Sequence, residues 1–202
     1  MNILIVTSSA QGAASVSNQL ADGFAAQLRN AHPGSKIVLR DVGREPLPHL
    51  VEATIAGVRA EAATPAEIEA RDLSDQLIAE VRDADLVVIA SPMYNFGISS
   101  TLKAWFDHVL RPRVAFRYTQ SGPEGLLGGR KVVVIESRAG SYAPGDPADS
   151  QEPHLRQMLS FVGLTDVTFV RAGKLAFDAE ASVAEAAAAL AGIARQELPL
   201  AA

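Results

Sequence analysis

Apolar and polar positions along the chain alternate between two patterns. Near-continuous runs of Val, Ile and Leu occupy residues 2–7, 86–90 and 131–136, and shorter apolar stretches occupy 36–40 and 167–171. Unbroken apolar runs of this length suit strands covered on both faces of a sheet. Between them the apolar residues recur every three or four positions. Leu20, Phe24 and Leu28 do so within 17–31, and Ile98, Leu102, Trp105, Phe106, Val109 and Leu110 across 98–110. Similar patterns at 66–82, 153–162 and 179–195 complete five predicted helices, with the third predicted helix at 99–110. Strand alternating with helix predicts βαβ units. The expected fold is therefore α/β: a flavodoxin-like, doubly wound, five-stranded parallel sheet of order 2-1-3-4-5, built as a single domain over residues 1–202.

Two segments depart from that plan. Residues 41–65 hold Pro46, Pro48 and Pro65 around a weakly helical stretch, and are expected to form a cap beside the site. Residues 111–130 are rich in Gly, Pro and Arg, with one short extended piece at 114–118. Long irregular connections in compact domains tend to be functional.

Composition narrows the chemistry. A net charge of -5 carries no basic footprint for nucleic acid. There is no cysteine, which removes disulfides, thiolate metal sites, iron–sulfur clusters and cysteine nucleophiles, and fits a reducing compartment. No apolar run approaches the ~18 residues of a membrane span, and the first six residues lack the features of a signal segment. A cytoplasmic protein without membrane attachment is expected. His32, His49, His108 and His154 are scattered, so neither a metal site nor a catalytic triad is readable.

Candidate chemistry sits in three loops that follow strands, where open α/β sheets bind ligands. The first strand leads into Thr7-Ser8-Ser9 and, through Gly12, to Ser15-Val16-Ser17 at a helix start. Hydroxyls there meet free helix amides and the positive end of the helix dipole, which suits a phosphate. The same residues also serve as ordinary helix caps. The loop has neither the Gly-Lys-Ser/Thr ending of a nucleoside-triphosphate loop nor Gly-x-Gly-x-x-Gly, leaving a mononucleotide phosphate. The third strand ends in Ser91-Pro92-Met93-Tyr94-Asn95-Phe96-Gly97, a mix of flat side chains, amides and glycine suited to a planar ring. The fourth ends in Ser137-Arg138-Ala139-Gly140, small residues that allow close backbone approach. Together these point to a flavin.

The blocks Met93-Tyr94-Asn95-Phe96, Phe116-Arg117-Tyr118-Thr119 with Gly122-Pro123-Glu124-Gly125, and Phe161-Val162-Gly163-Leu164-Thr165-Asp166 resemble the FMN-dependent NADH-azoreductase family of flavodoxin-like quinone reductases. The resemblance runs over nearly the whole chain. It implies that Ser9, Ser15, Val16 and Ser17 hold the FMN phosphate. It implies that Met93, Tyr94, Asn95 and Phe96 contact the ring and ribityl chain, and that Ser137, Arg138, Ala139 and Gly140 close the pyrimidine side. It further implies homodimers with Tyr118 and Phe161 shaping a substrate pocket at the interface, and Arg59 at a position linked to substrate preference. Implied activity is NADH- or NADPH-driven reduction of quinones and azo compounds in a ping-pong cycle through flavin N5, with no catalytic side chain. A flavodoxin-type single-electron carrier with protein partners is the alternative. Ala139 replaces a family glycine, which questions whether a left-handed backbone survives there. Arg111-Pro112-Arg113 replaces another before the Phe-Arg-Tyr segment, and is expected to make the pocket rim more basic. Ser99 stands where the family often has proline.

Overall fold

A computed structural model describes residues 1–143 and 145–196; Pro144 and the last six positions of the expected domain lie outside the described residues. Seven strands and six helices follow in chain order. β1 (Asn2–Thr7) leads to α1 (Val16–Ala31) through a single 3-10 turn at Gly12–Ala14, then β2 (Lys36–Asp41), α2 (Ile55–Arg59), α3 (Pro65–Asp83) and β3 (Leu86–Pro92). After α4 (Ser100–Val109) come β4 (Phe116–Thr119), β5 (Gly122–Gly125), β6 (Lys131–Ser137), α5 (Gln151–Phe161), β7 (Asp166–Ala172) and α6 (Ala179–Ala194).

The main sheet has five parallel strands in the order β2-β1-β3-β6-β7, which is 2-1-3-4-5 when its own strands are counted. Alternate residues of each apolar run serve opposite faces, because strand side chains have a period of two. Leu4, Val6, Val87, Ile89, Val132 and Val134 face a core closed by α3, α4 and α5. Ile3, Ile5, Leu86, Val88, Val133 and Ile135 face a second core closed by α1 and α6. Each fully buried aliphatic side chain contributes roughly 1.5–3 kcal/mol, so these runs define the sheet more strongly than any turn could.

The helix starts are fixed by side chains. Ser15 caps α1 by accepting from the Asn18 amide, Ser99 caps α4 by accepting from Leu102, and Thr64 and Glu67 form a reciprocal capping box on α3 behind Pro65. Ser99 thus gives α4 a capping hydroxyl. α5 begins two residues ahead of the expected position. The Asp149 carboxylate accepts from the amides of Gln151 and Glu152, and Pro153 is tolerated because first-turn amides need no helical partner. The extended piece before residue 118 is β4, and it pairs antiparallel with β5. Gly122-Pro123-Glu124-Gly125 has none of the usual strand formers, so this partner strand had no sequence signal. Among the described residues no helix is long and apolar enough to cross a membrane.

Candidate active site

Parallel strands of one sheet all end at the same edge, which brings the loops after β1, β3 and β6 together. The first contact is between Ser9 and Tyr94, whose hydroxyls lie 3.0 Å apart. Ala10 also donates its amide to the Tyr94 hydroxyl at 3.0 Å. Ser9, Ser15 and Ser17 are buried, and the Ser15 and Ser17 hydroxyls lie 3.1 Å apart. The amides of Val16 and Ser17, in the first turn of α1, have no acceptor among the described residues. Two free amides, adjoining hydroxyls and a helix N-terminus are a donor set for a phosphate. Ser15 caps α1, and its hydroxyl stays at the loop beside that of Ser17.

Gly43 makes this loop possible. A Cβ at Gly43 would stand 2.2 Å from the Ser9 carbonyl oxygen, so the segment after β2 backs onto the serine loop more closely than any side chain allows.

The second loop is a two-residue turn between Tyr94 and Gly97, closed by Tyr94 N–H to Gly97 C=O at 2.9 Å and the reverse at 3.1 Å. Asn95 at φ 48° and Phe96 at φ 72° both lie in the left-handed region. Asn tolerates that region, whereas a bulky Phe is rarely found there and is held at a cost of order 1–3 kcal/mol. Phe96 is nonetheless 57% exposed, so burial does not offset the cost. Its strain instead presents an aromatic face and leaves the Asn95 and Phe96 amides without acceptors among the described residues.

The third loop follows β6. The Ala139 and Gly140 carbonyls accept from the amides of Ala176 and Lys174, at 3.1 and 2.8 Å, while their own amides have no acceptor among the described residues. Carbonyls spent and amides unspent give a donor edge, as the pyrimidine side of a flavin requires. Ala139 has no positive φ, so the glycine replacement there costs no strain. A Cβ at Gly140 would press on the Tyr142 ring at 3.2 Å.

Arg138 behaves differently from its neighbours. Its guanidinium is buried and spent on Glu136 at 2.7 Å, Asp149 at 2.8 Å and the Gln151 side-chain carbonyl at 2.9 Å. Its backbone is engaged as well, the amide donating to Ala172 C=O at 2.9 Å and the carbonyl accepting from the Leu175 amide at 3.1 Å. Burial pushes the fully enclosed Glu136 carboxyl up to about 7; Arg138 pulls it back, and Glu152 and Asp149 add to the rise. Glu136 Oε1 has no partner among the described residues. Burial would raise Glu152 too, but bonds from Arg171 and Arg156 hold it below the usual carboxylate range.

The remaining site residues lie apart from these loops within one chain. Phe116 packs on Phe161 at 4.5 Å and on Tyr118 at 5.7 Å, forming one aromatic cluster at the C-terminal end of α5. Gln151, at the other end, contacts Ser91 beside the second loop, and ten residues of helix separate these ends by roughly 15 Å. Tyr118 is 74% exposed on the β4–β5 arm. Arg59 donates to the Leu110 carbonyl at 2.8 Å. Thr101, whose hydroxyl reaches Ser8 C=O at 3.1 Å, is about 13 Å of helix away from Leu110. The two arginines expected to make the rim more basic differ in placement. Arg111 is buried and bonded to Asp75 and Ser74, leaving only Arg113 exposed. Arg113 sits at φ 67°, so this replacement of a glycine, unlike Ala139, keeps the strained backbone.

Sequence reasoning missed Gly43, Gln151 and Asp149. A lone Gly, Gln and Asp outside the expected elements carry no pattern; only their contacts reveal them.

Comparison with known proteins agrees with this geometry. Residues 1–195 match the model of a family described as flavodoxin-like fold. A protein of Hyphomonas neptunium named FMN-dependent NADH:quinone oxidoreductase is 51% identical over 185 residues, 91% of this chain and 89% of its own. One of the same name from Azotobacter vinelandii is 49% identical, covering 84% of this chain and 86% of its own. The crystal structure of an azoreductase from Bacillus anthracis superposes with a TM-score of 0.87 at 26% identity, over 96% of this chain and 99% of that one.

Proposed function

As the chain belongs to the family of FMN-dependent NADH:quinone oxidoreductases, we propose that it binds FMN in one domain and uses NADH to reduce quinones by two electrons. The observation that carries this reading is a single sheet edge with unspent amides at both ends: Val16 and Ser17 beside the serine hydroxyls, Ala139 and Gly140 across from Tyr94. The residues present fit the cofactor, with donors for a phosphate at one end, donors for a pyrimidine edge at the other, and Met93, Tyr94 and Phe96 between. When bound, the flavin would supply the hydride-transfer chemistry between the nicotinamide and the acceptor.

The protein's part is to bind, orient and stabilise. The Ala139 and Gly140 amides aim fixed dipoles at the ring edge where negative charge gathers on reduction, a preorganised stabilisation that needs no rearrangement. Tyr94, tied to Ser9 and Ala10, keeps the two ends of the cradle in register. Phe96 offers an exposed aromatic wall for a planar substrate. No side chain acts as nucleophile. Azo compounds enter this scheme as hydrazone tautomers, which resemble quinone imines.

Because Tyr118, Phe161 and Arg59 lie away from the cradle of their own chain, the substrate pocket is completed by a second copy, making the working enzyme a homodimer in the cytoplasm. The exposed Tyr118 and the exposed apolar residues Val51, Ile55 and Ile68 support that assembly.

The test is the absorbance spectrum of the purified protein before and after anaerobic NADH. Bleaching by NADH, with recolouring by benzoquinone, is expected; NADPH in place of NADH measures donor preference. Bleaching only with a separate reductase would select the single-electron carrier. A colourless protein that takes up no added FMN would overturn both.

A further inference from the structure

The first turn of α5 touches two of the three loops, and one side chain makes both connections. Gln151 is fully buried. Its amide nitrogen donates to the Ser91 carbonyl at 2.8 Å and to the Ser91 hydroxyl at 3.0 Å, at the end of β3. Its carbonyl oxygen accepts from Arg138 Nε at 2.9 Å, just after β6. Asp149 accepts from the Gln151 amide and pairs with the Arg138 guanidinium. The Ser150 amide reaches the Phe96 carbonyl at 3.2 Å, holding the strained turn from behind.

An amide side chain is both donor and acceptor. Of the uncharged residues of this length, only glutamine can join a carbonyl on one side to a guanidinium on the other. Glutamate would set its oxygens against the Ser91 carbonyl. Leucine would strand Arg138 Nε in the interior and remove the donor that Ser91 receives from α5.

We propose that Gln151 is a positioning residue for the flavin ring, acting through Ser91 and Arg138 to set the spacing between the turn at residues 93–97 and the amides at residues 137–140. It touches neither cofactor nor substrate. This rests on the flavin reading above and deepens it: the ring end of the cradle is held by a buried tie, while the cap, hydroxyls and amides of residues 15–17 make no hydrogen bond to it.

That separation supplies the test. Dissociation constants for FMN and for riboflavin, which lacks the phosphate, are measured by flavin fluorescence on the full chain and on Gln151→Leu. Both are expected to weaken about tenfold or more, leaving the FMN-to-riboflavin ratio unchanged, since only the ring end is disturbed. Arg138→Lys, which keeps the charge but loses the fork that meets Gln151 and Glu136 together, is expected to do the same and serves if Gln151→Leu fails to fold. A folded Gln151→Leu or Arg138→Lys that binds FMN like the parent overturns the proposal. So does a collapse of the FMN-to-riboflavin ratio, which marks general loosening of the fold. A parent protein that binds no FMN overturns instead the flavin reading itself.

Discussion

At the phosphate end of the cradle, hydroxyls and amides come from one continuous stretch, residues 9–17, held by a helix cap and a close backbone approach at Gly43. At the ring end, the Tyr94–Gly97 turn and the Ala139-Gly140 edge are far apart in sequence, and a buried cluster of Arg138, Glu136, Asp149 and Gln151 unites them. One end is built by local hydrogen bonds at the surface of a helix, the other by charges taken out of water. The difference has consequences. A local cap costs little to form and fails locally, whereas a buried charged cluster is expensive to assemble and punishes the loss of any member.

The strongest way to break the phosphate end is Gly43→Ala. The added methyl would meet the Ser9 backbone at 2.2 Å, and neither side can yield as a flexible side chain would. FMN affinity should fall about 100-fold and stability by roughly 1–3 kcal/mol, read by flavin fluorescence and thermal melting; parent-like binding would show that the serine loop is not held there. Ser15→Ala removes the cap of α1 and a phosphate-side hydroxyl together. A loss of ~1 kcal/mol in stability with roughly tenfold weaker FMN binding is expected, and riboflavin binding should scarcely change. Equal weakening of riboflavin would erase the distinction between the two ends.

At the ring end, Glu136→Gln isolates the buried charge. The folded Glu136 carboxyl titrates at about 7 against an ordinary 4.5. Between those values the native state keeps a proton that the unfolded chain has lost. Glu136 therefore stabilises the fold less and less as pH rises through that window, and its penalty is constant above it. A glutamine cannot ionise, so the stability of Glu136→Gln relative to the parent should climb across the window by up to roughly 3 kcal/mol and then level off. Thermal melts over the window and above it would show this; a gap that does not change with pH would mean that Glu136 ionises as an ordinary carboxylate. The smallest effect is expected from Phe96→Gly. Relief of the φ 72° backbone should add roughly 0.5–1 kcal/mol to stability, while quinone KM rises for want of the aromatic wall. A drop in stability would show that Phe96 packs in a way its exposure hides.

Much of the serine loop was legible because its residues are contiguous: the Ser9, Ser15 and Ser17 hydroxyls and the helix start follow one another along the chain. The ring end was legible only in part. Tyr94 and Phe96 announced themselves by residue type, and Ala139 and Gly140 by size, but the direction of the Arg138 side chain did not. Arg138, placed at the pyrimidine side by the resemblance alone, turns its side chain inward as an interior tie. The two glycine replacements show the same limit, since only the backbone angles separate the relaxed Ala139 from the strained Arg113.

By itself the sequence determined the five strand-forming runs and the helices between them, because alternate residues of the central runs must be buried on opposite faces of a covered sheet. Tertiary structure alone decided that Gly43 admits the serine loop, that Gln151 joins β3 to β6, that Gly122–Gly125 is a strand, and that Tyr118 and Phe161 stand away from their own cradle. The physical reason is range. Periodicity and caps act between residues a few positions apart, whereas hydrogen bonds across 60 positions, such as Gln151 to Ser91, exist only after the core has brought their partners together.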